Sequence, residues 1–304
     1  MPNGIPRRSA LAAWRMAARP ATLPAALAPV LVGLGVAARE GVFRPLPAIG
    51  CVAVALLLQV AANLANDLFD FRSGADTADR LGPPRAAAMG LLRERDLAVG
   101  IGLVLGAAGM VGLSLVAIGG PILLLLGALA VISAVAYTGG PWPYGYHGLG
   151  EVFVFAFFGF VGVAGTTYLQ TGAWEPLAFA AAVPVGAIVS GVLVLNNLRD
   201  ITTDLAAGKR TLATRIGARG STVEYLGLVA LAYATPIALL AAGASGRPIL
   251  LPLATLPLLT PLLRTVLVGA DPRRLNPALR GTARLSLVFA ILFAAGLALG
   301  GRPG

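Results

Sequence analysis

Nine apolar runs, at 21–38, 46–66, 97–117, 120–137, 150–170, 177–197, 223–243, 248–268 and 284–300, occupy most of the 304-residue chain. Each is close to the roughly 20 helical residues needed to cross a hydrocarbon core of ~30 Å. Pro184, Pro236 and Pro257 fall inside runs. Membrane helices tolerate this because neighbours satisfy the freed backbone groups. The pattern predicts an all-α integral membrane protein of nine transmembrane helices. It forms one domain over residues 1–304, with no soluble module and no low-complexity linker.

The polar segments between the runs orient the chain. With the N-terminus in the cytoplasm, nineteen of the twenty-three Lys and Arg residues fall on the cytoplasmic side. Only Arg39, Arg44, Arg247 and Arg302 fall outside. So uneven a split supports both the helix count and this orientation. It predicts residence in the cytoplasmic (inner) membrane, with the long polar loops 67–96 and 198–222 on one face. Composition agrees, with 57% hydrophobic and 12% charged residues against about 25% charged in an ordinary soluble domain. The net charge of +10 sits between apolar runs, where topology and anionic lipid account for it without nucleic acid. Cys51 is the only cysteine, so no internal disulfide forms. Arg7 and Arg8 precede the first run, but Pro20, Pro24 and Pro29 interrupt it and many spans follow, so it is read as retained. The sequence specifies no oligomeric state.

Acidic residues carry the strongest chemical signal. Of thirteen in the chain, six fall in two short segments, Asn63–Arg80 and Asn196–Arg210. Asp67 and Asp70 are three apart at the end of the second run, and Asp200 and Asp204 are four apart at the end of the sixth. On continuing helix each pair shares a face. Asn63 and Asn66 precede the first pair, and Asn196 and Asn197 the second, a recurrence compatible with a duplicated four-helix unit. One acidic pair beside Arg at an interface also fits a solvated, salt-bridged loop. Two Asn-preceded pairs, each followed by basic residues on the same predicted face, favour a shared site. Clustered carboxylates repel unless a cation neutralises them, and a hard divalent ion such as Mg²⁺ takes one or two carboxylates plus substrate phosphates. Arg72, Arg80, Lys209 and Arg210 stand near enough in sequence to bind the remaining phosphate oxygens. Asp76 and Asp79 follow Gly74 and also fit turn positions.

A metal-held diphosphate is a good leaving group, and an allylic C–O bond then breaks toward a carbocation. A helical bundle in lipid keeps water from such a cation, and aromatic faces stabilise it without reacting. Tyr137, Trp142, Tyr144 and Tyr146 fit either this role or an interfacial belt. Phe153, Phe155, Phe157 and Phe158 fit ordinary packing better. His147, the only histidine, fits a hydrogen-bonded loop, and Glu151, just inside the fifth run, needs a partner or a task. Arg19, before Pro20, Thr22 and Pro24, fits a positive-inside anchor or a site for an anionic acceptor.

Four stretches together resemble the UbiA superfamily of intramembrane prenyltransferases: RPATLPAALAPVLVG from Arg19, NLANDLFDFRSGADTADRLGPPRA from Asn63, YTGGPWPYGYHGLGEVFVFAFFG from Tyr137 and NNLRDITTDLAAGKRTLATRIG from Asn196. Within it, the third and fourth stretches are most similar to the branch acting on 1,4-dihydroxy-2-naphthoate in menaquinone biosynthesis. The resemblance implies nine transmembrane helices around a central cavity, with both Asp motifs holding Mg²⁺ and diphosphate at its cytoplasmic mouth. It implies Asp67, Asp70, Asp200 and Asp204 as metal-binding catalytic carboxylates. Asn63, Asn66 and Asn197 would support them, and Arg72 and Lys209 would contact the diphosphate of the polyprenyl substrate. Arg19, Tyr137 and Tyr146 are the further candidate substrate contacts. Many members carry a third acid where this chain has Gly74, and the naphthoate pattern allows Asp76 as its substitute. The expected reaction replaces the carboxylate of the aromatic acid by the prenyl chain. A related activity on 4-hydroxybenzoate stays open at this stage. So does a transporter using buried acids, although transporters tend to place such acids near the bilayer midplane.

Overall fold

The computed structural model describes residues 10–75, 81–269 and 271–301. Its elements are α1 (Ala10–Ala18), α2 (Leu23–Arg39), α3 (Pro45–Arg72), α4 (Glu94–Gly119), α5 (Pro121–Ala136) and α6 (Gly150–Thr171). They continue as α7 (Pro176–Arg199), α8 (Ile201–Ala206), α9 (Leu212–Ala241), α10 (Arg247–Val268) and α11 (Pro272–Leu299). Among the described residues, eight stretches are long and apolar enough to cross a membrane, and α5 is a shorter apolar helix. The nine runs of the sequence thus each correspond to one helix. The first crossing is longer than its apolar run, because α1 continues through a single turn at Pro20–Thr22 into α2.

Local sequence explains the irregular points. Prolines open α3, α5 and α7 at their first turn, where the missing N–H has no intrahelical partner to lose. Pro248 and Pro252 hold the start of α10 in a 3₁₀ conformation. Leu212–Ala241 breaks at Gly217, whose φ of 71° suits glycine alone. Residues Phe155–Val161 of α6 form a π-helical segment, a feature often found at functional sites.

Packing separates a buried half from a lipid-facing rim. Ala28, Val32, Val185, Ile188, Phe289 and Phe293 are fully or nearly fully buried in the largest cluster, which joins α2, α6, α7, α9, α10 and α11. In α4 only 11% of the most apolar window is buried, and Leu103, Met110 and Leu113 point outward, as expected where lipid is the solvent. Small residues set the closest contacts, as in membrane bundles generally. A Cβ on Gly35 of α2 would lie 2.5 Å from the Ala294 backbone of α11. Around Gly109 of α4 the space is open. Gly35→Leu is therefore expected to destabilise the protein by about 1–3 kcal/mol and lower its thermal midpoint in detergent. Gly109→Leu should leave that midpoint unchanged.

Candidate active site

Helices α2, α3, α5, α6 and α7 enclose a cavity of about 440 Å³. Its wall is apolar over most of its length, with Val54, Leu58, Leu126, Val161 and Leu169. One end is polar. There Asn66, Asp70, Asn196, Asn197, Asp200, Asp204 and Lys209 all line the same space. The two acidic segments, far apart in sequence, therefore meet.

The contact between them is direct. Lys209 Nζ donates to Asp70 Oδ1 at 2.8 Å, and the same oxygen accepts from the Tyr146 hydroxyl at 2.7 Å. Arg85 Nη2 donates to the other oxygen at 2.7 Å. Lys209 also lies 4.5 Å from the centre of the Tyr146 ring, within cation–π range. Two cations and a phenol thus hold a carboxylate that is itself buried. The second segment is built differently. α7 ends at Arg199, Asp200 leaves the helical conformation, and α8 starts at Ile201, with the Asp204 amide donating to the Asp200 carbonyl. Arg199 is almost completely buried and forks onto Asp200 through Nε and Nη2. It also reaches Asn196 and Asn276, and Asn276 in turn donates to the Leu81 carbonyl.

Two expected site residues, Asp67 and Arg72, sit elsewhere. Asp67 and Asp70 do not share one face toward the cavity. The stripe that lines it is Gln59, Asn63, Asn66 and Asp70, and at about 100° per residue Asp67 falls at its edge, toward loop 81–93. Both oxygens of Asp67 accept backbone N–H groups there, from Ala86 at 3.1 Å and Ala87 at 3.2 Å. Arg72 turns away to pair with Glu94 at 2.7 Å, both about half exposed, rather than facing the cavity. Asp76, with Asp79 and Arg80, lies outside the described residues. Asp67→Ala would strip acceptors from two buried N–H groups, at about 1–3 kcal/mol each. A lower thermal midpoint and earlier protease cleavage within 81–93 are the expected readouts.

Arg19, Asn63, Tyr137 and Tyr144 line the same cavity, whereas Trp142 and His147 are not part of its lining. Asn63 donates to the Ala18 carbonyl and to Thr22 Oγ1, each at 2.9 Å, fixing the start of α2 against α3. Arg19 lines the cavity and holds a left-handed backbone, with φ of 48°, which is uncommon for a residue with a Cβ. Tyr137 lines the cavity too. Tyr144 donates to the Ser133 carbonyl at 2.9 Å. His147 Nδ1–H donates to the Pro143 carbonyl at 2.9 Å, and its ring stacks on Trp142. Phe153, Phe157 and Phe158 line the cavity, although their sequence pattern fitted ordinary packing better. The π-helical turn re-aims that stretch, while Gly159 meets Gly186 of α7 closely. Arg85 and Arg199 were not singled out from sequence. The signal for Arg199 was an arginine closing an apolar run directly before Asp200.

Every ligand-type atom at the mouth is an oxygen, which suits a hard cation. Among the described residues, no group of three or more acids, histidines or cysteines comes close enough to hold an ion alone.

Fold and site together define a polytopic helical membrane protein enclosing an apolar chamber whose mouth is built for a charged group. The profile of the UbiA prenyltransferase family matches residues 26–288, and the chain belongs to that family. It is 38% identical over 295 residues to 1,4-dihydroxy-2-naphthoate octaprenyltransferase of Haemophilus influenzae, covering 94% of this chain and 96% of the relative. It is 39% identical to the enzyme of that name from Mycobacterium tuberculosis, covering 96% and 99%. Among solved structures, the apo UbiA homolog from Aeropyrum pernix K1 superposes with a TM-score of 0.69 at 18% identity, covering 90% of this chain and 97% of that one. The Archaeoglobus fulgidus homolog bound to GPP and Mg²⁺ gives 0.63 at 14% identity, covering 94% and 99%. These two support the fold.

Proposed function

We propose that this protein transfers a polyprenyl chain from an allylic diphosphate to 1,4-dihydroxy-2-naphthoate, with loss of the acceptor's carboxylate, to give a demethylmenaquinol. The observation that carries this is the meeting of the two segments at the mouth of an apolar chamber, with Lys209 donating to Asp70 at 2.8 Å. Relatives of that name, 38–39% identical over nearly the whole chain, supply the acceptor. A transporter is disfavoured because the acids stand at helix ends on one side, not near the bilayer midplane.

In this reading the diphosphate sits at the polar mouth and the prenyl tail runs along Val54, Leu58, Leu126 and Leu169. Lys209 and Arg85 take phosphate oxygens as charge-assisted donors. Asp70, Asp200 and Asp204, with Asn197, fit Mg²⁺ shared with the substrate's phosphates, since Mg²⁺ usually takes only one or two carboxylates from the protein. Mg²⁺, when bound, neutralises the diphosphate and makes it a better leaving group. The allylic C–O bond breaks and diphosphate departs with the electron pair. Phe153, Phe157 and Phe158 face the resulting cation, and the apolar wall keeps water from it. The ring carbon that carries the carboxylate attacks. Its bond to the carboxylate then breaks, and those electrons restore the aromatic ring as CO₂ leaves. Arg19 holds the acceptor carboxylate before the attack, oriented by the Asn63–Thr22 contacts beside it. The mouth opens on the cytoplasmic side of the inner membrane.

Purified protein given Mg²⁺, a polyprenyl diphosphate and equal amounts of 1,4-dihydroxy-2-naphthoate and 4-hydroxybenzoate is expected to yield only the decarboxylated naphthoquinol, identified by mass. Product from 4-hydroxybenzoate alone, or flux into proteoliposomes with no prenyl product, would overturn this assignment.

A further inference from the structure

Glu151 is buried in the first turn of α6, a place that normally excludes an acid without a task. Its Oε1 accepts from Asn197 Nδ2 at 2.7 Å, and its Oε2 has no partner. Keeping such an oxygen buried is costly, so the first contact has to return something. What it returns is an orientation. An amide side chain carries a donor end and an acceptor end that packing alone hardly distinguishes. With Nδ2 committed to a carboxylate, Asn197 can turn only Oδ1 toward the cavity it lines. The two neighbouring amides are set the opposite way. Asn66 Oδ1 accepts from Thr138 at 2.9 Å and Asn196 Oδ1 from Arg199 at 2.9 Å. Their free ends are N–H groups suited to phosphate oxygens.

We propose that Glu151 is a positioning residue that fixes the Asn197 amide with its oxygen toward the mouth, making Asn197 an oxygen ligand for the cation beside Asp200. The proposal rests on the metal-and-diphosphate reading above and assigns the task of an acid that reading does not use. Groups that orient ligands in this way typically change metal affinity by about 10–100-fold when removed.

The test is calorimetric titration of Mg²⁺ into detergent-solubilised protein holding inorganic pyrophosphate, without turnover. Glu151→Leu is expected to weaken Mg²⁺ binding by about 10–100-fold. Glu151→Gln, which keeps an acceptor oxygen, should bind nearly as the unmodified protein does. Asn197→Asp alone sets two carboxylates against each other and should weaken binding. Combined with Glu151→Leu, the same change should restore it, because a carboxylate offers oxygen at both ends and needs no orienting partner. A purely structural Glu151 would lower the thermal midpoint of both its variants and give no such restoration. Equal affinities for Glu151→Leu and Glu151→Gln, or tighter binding by Asn197→Asp alone, overturn the proposal. The last of these holds even if Glu151→Leu does not fold. No Mg²⁺ binding to the unmodified protein overturns the underlying reading as well.

Discussion

Replacing Asp70 by Asn is expected to abolish prenyl transfer, lowering turnover by about 10³-fold or more, on the order of 4 kcal/mol of transition-state stabilisation. Asp70 joins the second segment, the turn at Tyr144–His147 and the loop at 81–93 through Lys209, Tyr146 and Arg85. Losing its charge takes a carboxylate away from a buried Arg and a buried Lys. Breaking a buried pair in that way costs about 3–5 kcal/mol, the lower end applying at a mouth that water enters. Product formation and the thermal midpoint, measured on the same preparation, should fall together. Midpoint recovery on adding pyrophosphate would show the two cations turning to phosphate oxygens. Arg72→Ala is the matched control. Its pair with Glu94 is about half exposed, and exposed pairs contribute about 0–1 kcal/mol, so both readouts should stay close to those of the unmodified protein.

The second large effect is expected at Arg199. Its guanidinium is buried and satisfies Asp200, Asn196 and Asn276 at once. Arg199→Leu removes the counter-charge of a buried Asp200 and frees the Asn196 amide to rotate. It also cuts the link that runs through Asn276 to Leu81. The expected loss is about 3–5 kcal/mol of stability and at least a hundredfold in turnover. Arg199→Lys should not rescue it, since an ammonium lacks the planar fork that spans both carboxylate oxygens and two amides. A lysine variant with normal turnover would remove Arg199 from the architecture of the mouth.

These two sites mark how far the chemistry could be followed in the chain alone. Asp70, Asp200, Asp204, Asn66 and Lys209 were legible because charged and amide groups at the ends of apolar runs are rare and expensive, so their clustering stands out. Asp67 and Asp70 looked equivalent by spacing, yet a loop with unsatisfied N–H groups at Ala86 and Ala87 claimed Asp67. Arg85 follows Asp70 by fifteen residues in the same stretch, but it reaches that carboxylate only when the loop folds back over the mouth. Phe157 and Phe158 carried no mark separating them from lipid-facing residues until the π-helical turn aimed them inward.

Burying apolar length and exposing charge are local costs, met residue by residue, so the solvent of the protein, its set of apolar helices and the two acidic segments can be read along the chain. Which carboxylates meet, and which cation each one holds, emerged with the packing of the helices. That packing also decided which end of each asparagine faces the chamber. Those outcomes depend on helix rotation and on hydrogen bonds between residues far apart in the chain, and local periodicity carries no information about either.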